Sequence, residues 1–97
     1  MTINVYGFFM PGCRFCSDFI PAFQVVMSSF NPSDKSVIWH NVTDATTKEG
    51  SDQMDEFGLK HMFPTVIVED SNGTIHQYNR TSDTSKDFSN FVNKFIK

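Results

Sequence analysis

Apolar residues recur along this chain with two different periods, and the switches between them mark out seven elements. Ile3–Phe9 is apolar and aromatic almost throughout (Ile3, Val5, Tyr6, Phe8, Phe9), the pattern of a strand buried on both faces. Pro11 and Gly12 break it. From Cys13 onward Phe15, Phe19, Ile20, Phe23, Val26, Met27 and Phe30 fall at three- and four-residue steps, which predicts a helix. Pro21 lies inside that stripe. It lacks an N–H, so a kink is expected there rather than a stop. Asn31-Pro32-Ser33-Asp34 ends the helix, and Ser36–Thr43, with Val37, Ile38, Trp39 and Val42, reads as a second core strand.

Asp44–Gly50 is polar and reads as a loop. Ser51 is placed to cap a short helix running to about Lys60, with Met54 and Phe57 on its inner face. Phe63–Glu69 is a β-branched strand opening on a proline. Ser71-Asn72-Gly73-Thr74 supplies a hairpin turn, and Ile75–Tyr78 its partner strand. The last stripe is Phe88, Phe91, Val92, Phe95 and Ile96, with Asp83 or a neighbouring Ser or Thr as N-cap and Lys94 and Lys97 toward the C-terminal end. A βαβ start, a further helix and a ββα end predict an α/β fold: a four-stranded mixed sheet with helices on both faces.

Composition narrows the picture. Ninety-seven residues suffice for one domain around one core, and eleven phenylalanines, two tyrosines and one tryptophan put much of the apolar volume into few side chains. The net charge of −3 comes without a basic stripe, which argues against nucleic acid as a partner. No apolar run approaches the ~20 residues of a membrane span. Met1-Thr2-Ile3-Asn4 has no basic flank followed by a hydrophobic stretch, so a cytoplasmic, reducing setting is expected, where a lone cysteine pair is more often catalytic than structural. Asn41-Val42-Thr43, Asn72-Gly73-Thr74 and Asn79-Arg80-Thr81 fit the glycosylation pattern, but in that setting they are incidental, and the first lies in a predicted core strand.

The only two cysteines, Cys13 and Cys16, stand three apart between the first strand and the first helix. At a helix N-terminus the unpaired N–H groups and the macrodipole favour an anion, so a Cys13 thiolate is stabilised there. Cys16, one turn further in, is close enough to resolve a mixed disulfide on Cys13. The same spacing also supplies half of a zinc site. His40, His61 and His76 are the available further ligands, but no second close ligand pair accompanies them, and no metal is expected.

Several motifs in series resemble the catalytic domains of protein disulfide isomerases, which have the thioredoxin fold. Phe8-Phe9-Met10-Pro11-Gly12-Cys13-Arg14-Phe15-Cys16 resembles their Phe-Tyr-Ala-Pro-Trp-Cys-Gly-His-Cys. Pro21 matches the kink proline of their active-site helix. Thr43-Asp44-Ala45-Thr46 resembles Val-Asp-Ala-Thr. Phe57-Gly58-Leu59-Lys60 followed by Phe63-Pro64-Thr65 resembles Tyr-Gly-Val-Arg-Gly-Phe-Pro-Thr. Tyr78-Asn79-Arg80-Thr81 resembles Tyr-x-Gly-x-Arg-Thr. The likeness spans essentially residues 1–97, read as a single thioredoxin-like domain. The family's first strand and helix are missing, giving a trimmed, glutaredoxin-like outline.

The resemblance implies a cis peptide bond before Pro64, facing the dithiol, with Phe63 and Pro64 presenting backbone groups to an extended peptide. It also implies that Arg80 tunes the second thiol. Departures from the family pattern are equally informative. The usual buried acid six residues before the first cysteine is Gly7, and its lysine partner corresponds to Val42, so the proton acceptor for Cys16 is open, with water one candidate. Gly12 replaces a tryptophan and opens the surface around Cys13. Arg14-Phe15 replaces Gly-His; Arg14 puts a cation beside Cys13, favouring its thiolate and a more oxidising disulfide, while Phe15 shields the pair, touches substrate or covers the core. His61-Met62 replaces a single glycine and reshapes the substrate groove.

The resulting expectation is a monomeric thiol–disulfide oxidoreductase. It needs no cofactor beyond the Cys13–Cys16 redox pair, acts on protein disulfides and dithiols, and is reset by an unidentified reductase or oxidase. The alternatives are a glutaredoxin-like enzyme for glutathione mixed disulfides and a non-enzymatic binding module.

Overall fold

The computed structural model describes residues 2–30, 36–78 and 85–96. Its elements follow the order β1 (Ile3–Phe8), α1 (Arg14–Ser29), β2 (Val37–Val42), α2 (Lys48–Glu56), β3 (Thr65–Glu69), β4 (Ile75–Gln77) and α3 (Ser85–Asn93). The strands form one sheet in the order β2-β1-β3-β4. β1 is central, parallel to β2 (Val5 opposite Trp39) and antiparallel to β3 (Val5 opposite Val68). The expected caps at Asn31–Asp34 and Asp83, together with Lys97, lie outside the described residues.

Alternation along the strands gives the sheet two apolar faces. Ile3, Val5, Val66 and Val68 join Phe9, Phe19, Phe23, Val26, Phe88 and Val92 in one core, under α1 and α3. Tyr6, Phe8 and Ile67 join Ala45 and Met54 in the other, under α2. The larger core is built on aromatic contacts. Phe23 stacks on Phe88 with ring centres 5.6 Å apart and meets Phe9 edge-on at 5.4 Å, while Phe19 meets Phe88 edge-on at 5.3 Å. Offset and edge-to-face pairs of this kind contribute beyond the area they bury.

Gly7 allows this arrangement. A Cβ there would lie 2.8 Å from both the Phe23 and the Phe9 rings, so Phe23 occupies the space that a side chain on Gly7 would need. In register, Gly7 lies opposite Asn41, whereas Val42 lies opposite Phe8 and packs with the α2 core. The two positions that carry the acid and the lysine in the family pattern thus sit on different faces of this sheet.

Three sequence expectations need correction. First, β2 is an edge strand: it has one neighbour, and Ile38 and Asn41 are exposed on it, so Asn41 is not a core position. Second, α2 begins at Lys48 with Thr47 as N-cap, not at Ser51. The Thr47 hydroxyl accepts the Gly50 N–H at 3.3 Å, and Gly50 lies against Ala45 so closely that a Cβ would stand 2.6 Å from the Ala45 Cα. The polar run that reads as loop is the first turn of a helix whose packing residue has no side chain to reveal it. Third, Phe15 leaves the apolar stripe of α1. Cys16, Phe19, Phe23 and Val26 take the inner face, and Phe15, about 100° around the helix from Cys16, is exposed. The helix itself continues through Pro21.

On the α2 face a polar relay ties three strands together. Asn4 donates its amide N–H to Glu69 at 3.1 Å, which leaves its Oδ1 to accept from His40 Nε2 at 3.1 Å. The His40 ring stacks on Tyr6 with centres 4.2 Å apart.

Two outcomes follow. In an ordinary helix Gly→Ala gains about 0.5–1 kcal/mol. Gly50→Ala should instead lose about 1–3 kcal/mol to overpacking against the Ala45 backbone, read from the urea midpoint. Burial holds the His40 pKa below its ordinary value, only partly offset by Glu69. The unfolded chain therefore takes up a proton that the folded chain resists, and stability should fall as pH drops through the unfolded value of about 6.5. His40→Gln should flatten that part of the profile in urea titrations between about pH 5 and 7.

Candidate active site

Gly12 has φ +77°, a left-handed conformation that a residue with a Cβ adopts only with strain. The glycine that stands where the family pattern has tryptophan is thus required by the turn that delivers Cys13 to the start of α1. Cys13 is the N-cap of that helix, with extended backbone (φ −85°, ψ 116°). Its sulfur accepts the Cys16 N–H at 3.2 Å, the task usually done by a Ser, Thr or Asp oxygen. The Cys13 carbonyl in turn accepts the Ser17 N–H at 3.0 Å and the Ser17 hydroxyl at 3.2 Å.

The two sulfurs are in unlike surroundings. Cys13 is half-buried, whereas Cys16 is fully enclosed in the α1/α3 core with Phe9 and Phe19; both are thiols. Cys13 Sγ–H donates to the Phe63 carbonyl at 3.7 Å, linking the start of α1 to a loop fifty residues further along the chain. The Phe63–Pro64 peptide bond beside this contact is cis. Phe63 packs into both cores, and it and Pro64 are half-buried.

The loop that carries Phe63 is anchored at several points. α2 closes in a Schellman motif: Gly58, at φ +71°, donates to the Asp55 carbonyl at 3.0 Å, and Leu59 N–H to the Met54 carbonyl at 2.9 Å. His61 Nε2 lies 2.8 Å from the Asp55 carboxylate. Met62 N–H donates to the Lys60 carbonyl at 2.8 Å, and the Met62 carbonyl accepts the hydroxyl of Thr65, which is buried at the start of β3. Met62 thus has both backbone groups engaged while its side chain is exposed.

The sequence-predicted residues therefore divide as follows. Cys13, Cys16, Phe63 and Pro64 come together. Gly12 and Phe15 are exposed beside them, and Arg14 is exposed with no ion-pair partner among the described residues. Arg80 lies outside the described residues. The sequence reading missed Thr65, Ser17 and the Gly58 cap. Gly58 was detectable as a glycine just past an apolar helical stripe, whereas nothing local marks Thr65 as a loop anchor. Among the described residues no three His, Cys, Asp or Glu side chains converge as a metal site, and no helix is long and apolar enough to cross a membrane.

No sequence-family profile and no curated protein matches this chain. Solved structures do. Human ERp44 matches with a TM-score of 0.74 at 18% identity, over 95% of this chain and 27% of that one. The first thioredoxin domain of mouse protein disulfide-isomerase A4 gives 0.71 at 21% identity, over 95% of this chain and 61% of that one. Thioredoxin-2, a component of malaria parasite protein secretion machinery, gives 0.73 at 21% identity, over 96% and 82%. The chain has a thioredoxin fold, in a trimmed form with four strands and three helices among the described residues, and it spans about a quarter of the length of ERp44.

Thr65→Val should cost about 1–3 kcal/mol, because it leaves the Met62 carbonyl without its partner. Thr65→Ser, which keeps the hydroxyl, should retain most of the stability in the same denaturation series.

Proposed function

We propose that this chain is a dithiol–disulfide oxidoreductase acting on protein disulfides through Cys13 and Cys16. The asymmetry of the two thiols carries the conclusion: Cys13 is accessible and caps a helix, and Cys16 is enclosed one turn behind it.

In the reducing direction the Cys13 thiolate attacks one sulfur of a substrate disulfide. That S–S bond breaks as the Cys13–substrate bond forms, and the other substrate sulfur leaves as a thiolate and takes a proton. Cys16 then gives up its proton to water and attacks Cys13 Sγ. The mixed disulfide breaks, the second substrate thiol departs, and the Cys13–Cys16 disulfide remains. Two electrons and two protons have passed to the substrate, and the reverse sequence oxidises a substrate dithiol. The Cys16 N–H aimed at Cys13 Sγ is placed to hold negative charge on that sulfur when it attacks and again when it leaves. Arg14 adds a cation on the same turn. Gly7 leaves no room for a carboxylate behind the pair, which supports water as the proton acceptor for Cys16.

The substrate is an extended protein segment that crosses Cys13 beside the Phe63 carbonyl and Pro64, where backbone pairing would align it. A reductase or oxidase resets the pair, and no further cofactor is required.

Cys13→Ser should abolish exchange with a disulfide-bonded protein, and Cys16→Ser should accumulate the mixed disulfide, visible as a reducible adduct on gels. The reduction potential, measured in glutathione buffers, is expected between about −180 and −120 mV, as in the isomerase and oxidase members of this fold. A value near about −270 mV would indicate a thioredoxin-like reductant instead. Glutathione-dependent turnover that survives in Cys16→Ser would favour the glutaredoxin-like alternative. If no internal disulfide forms at any poise, the redox assignment fails in favour of a binding module.

A further inference from the structure

β2 is an open side of the sheet: among the described residues its one strand neighbour is β1. The Ser36 and Val42 carbonyls accept the Ile3 and Phe9 N–H groups at 2.8 and 2.9 Å. Backbone groups of successive residues point to opposite sides of a strand, so Ile38 and His40 also face β1. Val37, Trp39 and Asn41 therefore turn their N–H and C=O groups outward, where no described strand receives them. Proteins ordinarily guard such an edge with a lysine, a proline, a bulge or very short length. β2 has none of these. It is six residues long and pairs without a break in register, and 36–43 contains no proline and no Asp, Glu, Lys or Arg. The opposite edge, β4, is only three residues long.

We propose that two copies of this chain pair antiparallel along β2, joining their sheets into one, with Trp39 of each copy facing the other across the two-fold axis. Such a dimer departs from the monomer expected from the sequence. In this register the strand is complementary to itself. Val37 faces Asn41, Trp39 faces Trp39 and Asn41 faces Val37, all residues with outward groups, so each facing pair exchanges two bonds, about six in all. A slip of one residue sets outward groups against residues already bonded to β1, and a slip of two loses a facing pair. On the α2 face Ile38, 45% exposed, falls opposite His40 of the second copy in a closely spaced pair, with Cα atoms about 4.5 Å apart. The His40 ring is already held against Tyr6, so Ile38 meets a fixed flat surface. With no Asp, Glu, Lys or Arg in the strand, self-pairing brings no like charges together, and an acidic or basic peptide finds no countercharge here. Both facts favour a second copy as the occupant. β2 runs parallel to β1, toward Cys13, so the two-fold axis sends the two dithiols to opposite ends of the shared sheet.

Edge groups already bond to water and the contact is small, so the dissociation constant is expected on the order of 100 µM. Sedimentation equilibrium of the dithiothreitol-reduced protein, from about 5 µM to about 1 mM, should show the mass rising from one chain toward two and no further, since pairing consumes the edge. Ile38→Lys puts a charge on that edge, and Asn41→Pro removes an outward N–H without touching the bonds to β1; each should weaken association at least about tenfold. Val25→Lys, at an exposed apolar residue of α1, should leave it unchanged. Amide hydrogen exchange on the wild type finds the contact without any substitution. The Val37, Trp39 and Asn41 amides should exchange several-fold more slowly in concentrated than in dilute protein, while Ile38 and His40 stay protected in both. Assembly beyond two chains, a dimer that survives both edge variants, or unchanged exchange at those amides would overturn the proposal. The mass of one chain at every concentration would overturn it too, and would leave the edge to a strand from another protein.

Discussion

The Phe23 ring lying over the backbone of Gly7 is the contact on which the rest of this structure depends. It sets the distance between α1 and the central strand, and it brings Phe23 against Phe88 so that α3 closes over the same face. It also leaves no space for a side chain at residue 7, where the resembled pattern has an acid. A charge there without a partner would be expensive, and the sheet places Val42 on the opposite face, where no lysine could meet it. The space beside Gly7 is thus filled by phenyl rings. The fold gains apolar burial.

The second organising feature is a joint. Cys13 caps α1 with its sulfur and donates the same thiol to the Phe63 carbonyl, so one side chain connects the first helix to the approach of β3. Each side of the joint is fixed by its own local chemistry: a left-handed glycine and Ser17 on the helix side, a Schellman cap and the Thr65 hydroxyl on the loop side. Rigid supports would serve the exchange proposed above, which needs three sulfurs nearly in line at each transfer, where small displacements are costly.

Structural neighbours share the fold at 17–21% identity, while no sequence-family profile matches this chain. That combination is what a fold carried by apolar pattern and a few obligatory turns should produce. Side-chain identity is free to drift wherever volume and period are kept.

Much of the protein was legible in its sequence because the relevant physics is local. Apolar runs, 3.6-residue stripes and turn residues marked out seven elements, although the second helix was read too late, from Ser51; Pro11-Gly12 marked the turn before the dithiol, and the Cys-x-x-Cys spacing put the second thiol one helical turn behind the first. Tertiary structure decided what local pattern leaves open. Polar Lys48–Glu49–Gly50 became helix because Gly50 fits against Ala45, a contact that no propensity reports. β2 became an edge because strand order is set by long-range pairing, and with it Asn41 moved from a presumed interior to solvent. Phe15 reads as core by its period and emerged on the surface because Cys16 and Phe19 had already claimed the inner face. The unlike burial of two cysteines three residues apart has the same origin: their spacing is written in the sequence, and only packing decided which of them is enclosed in the core.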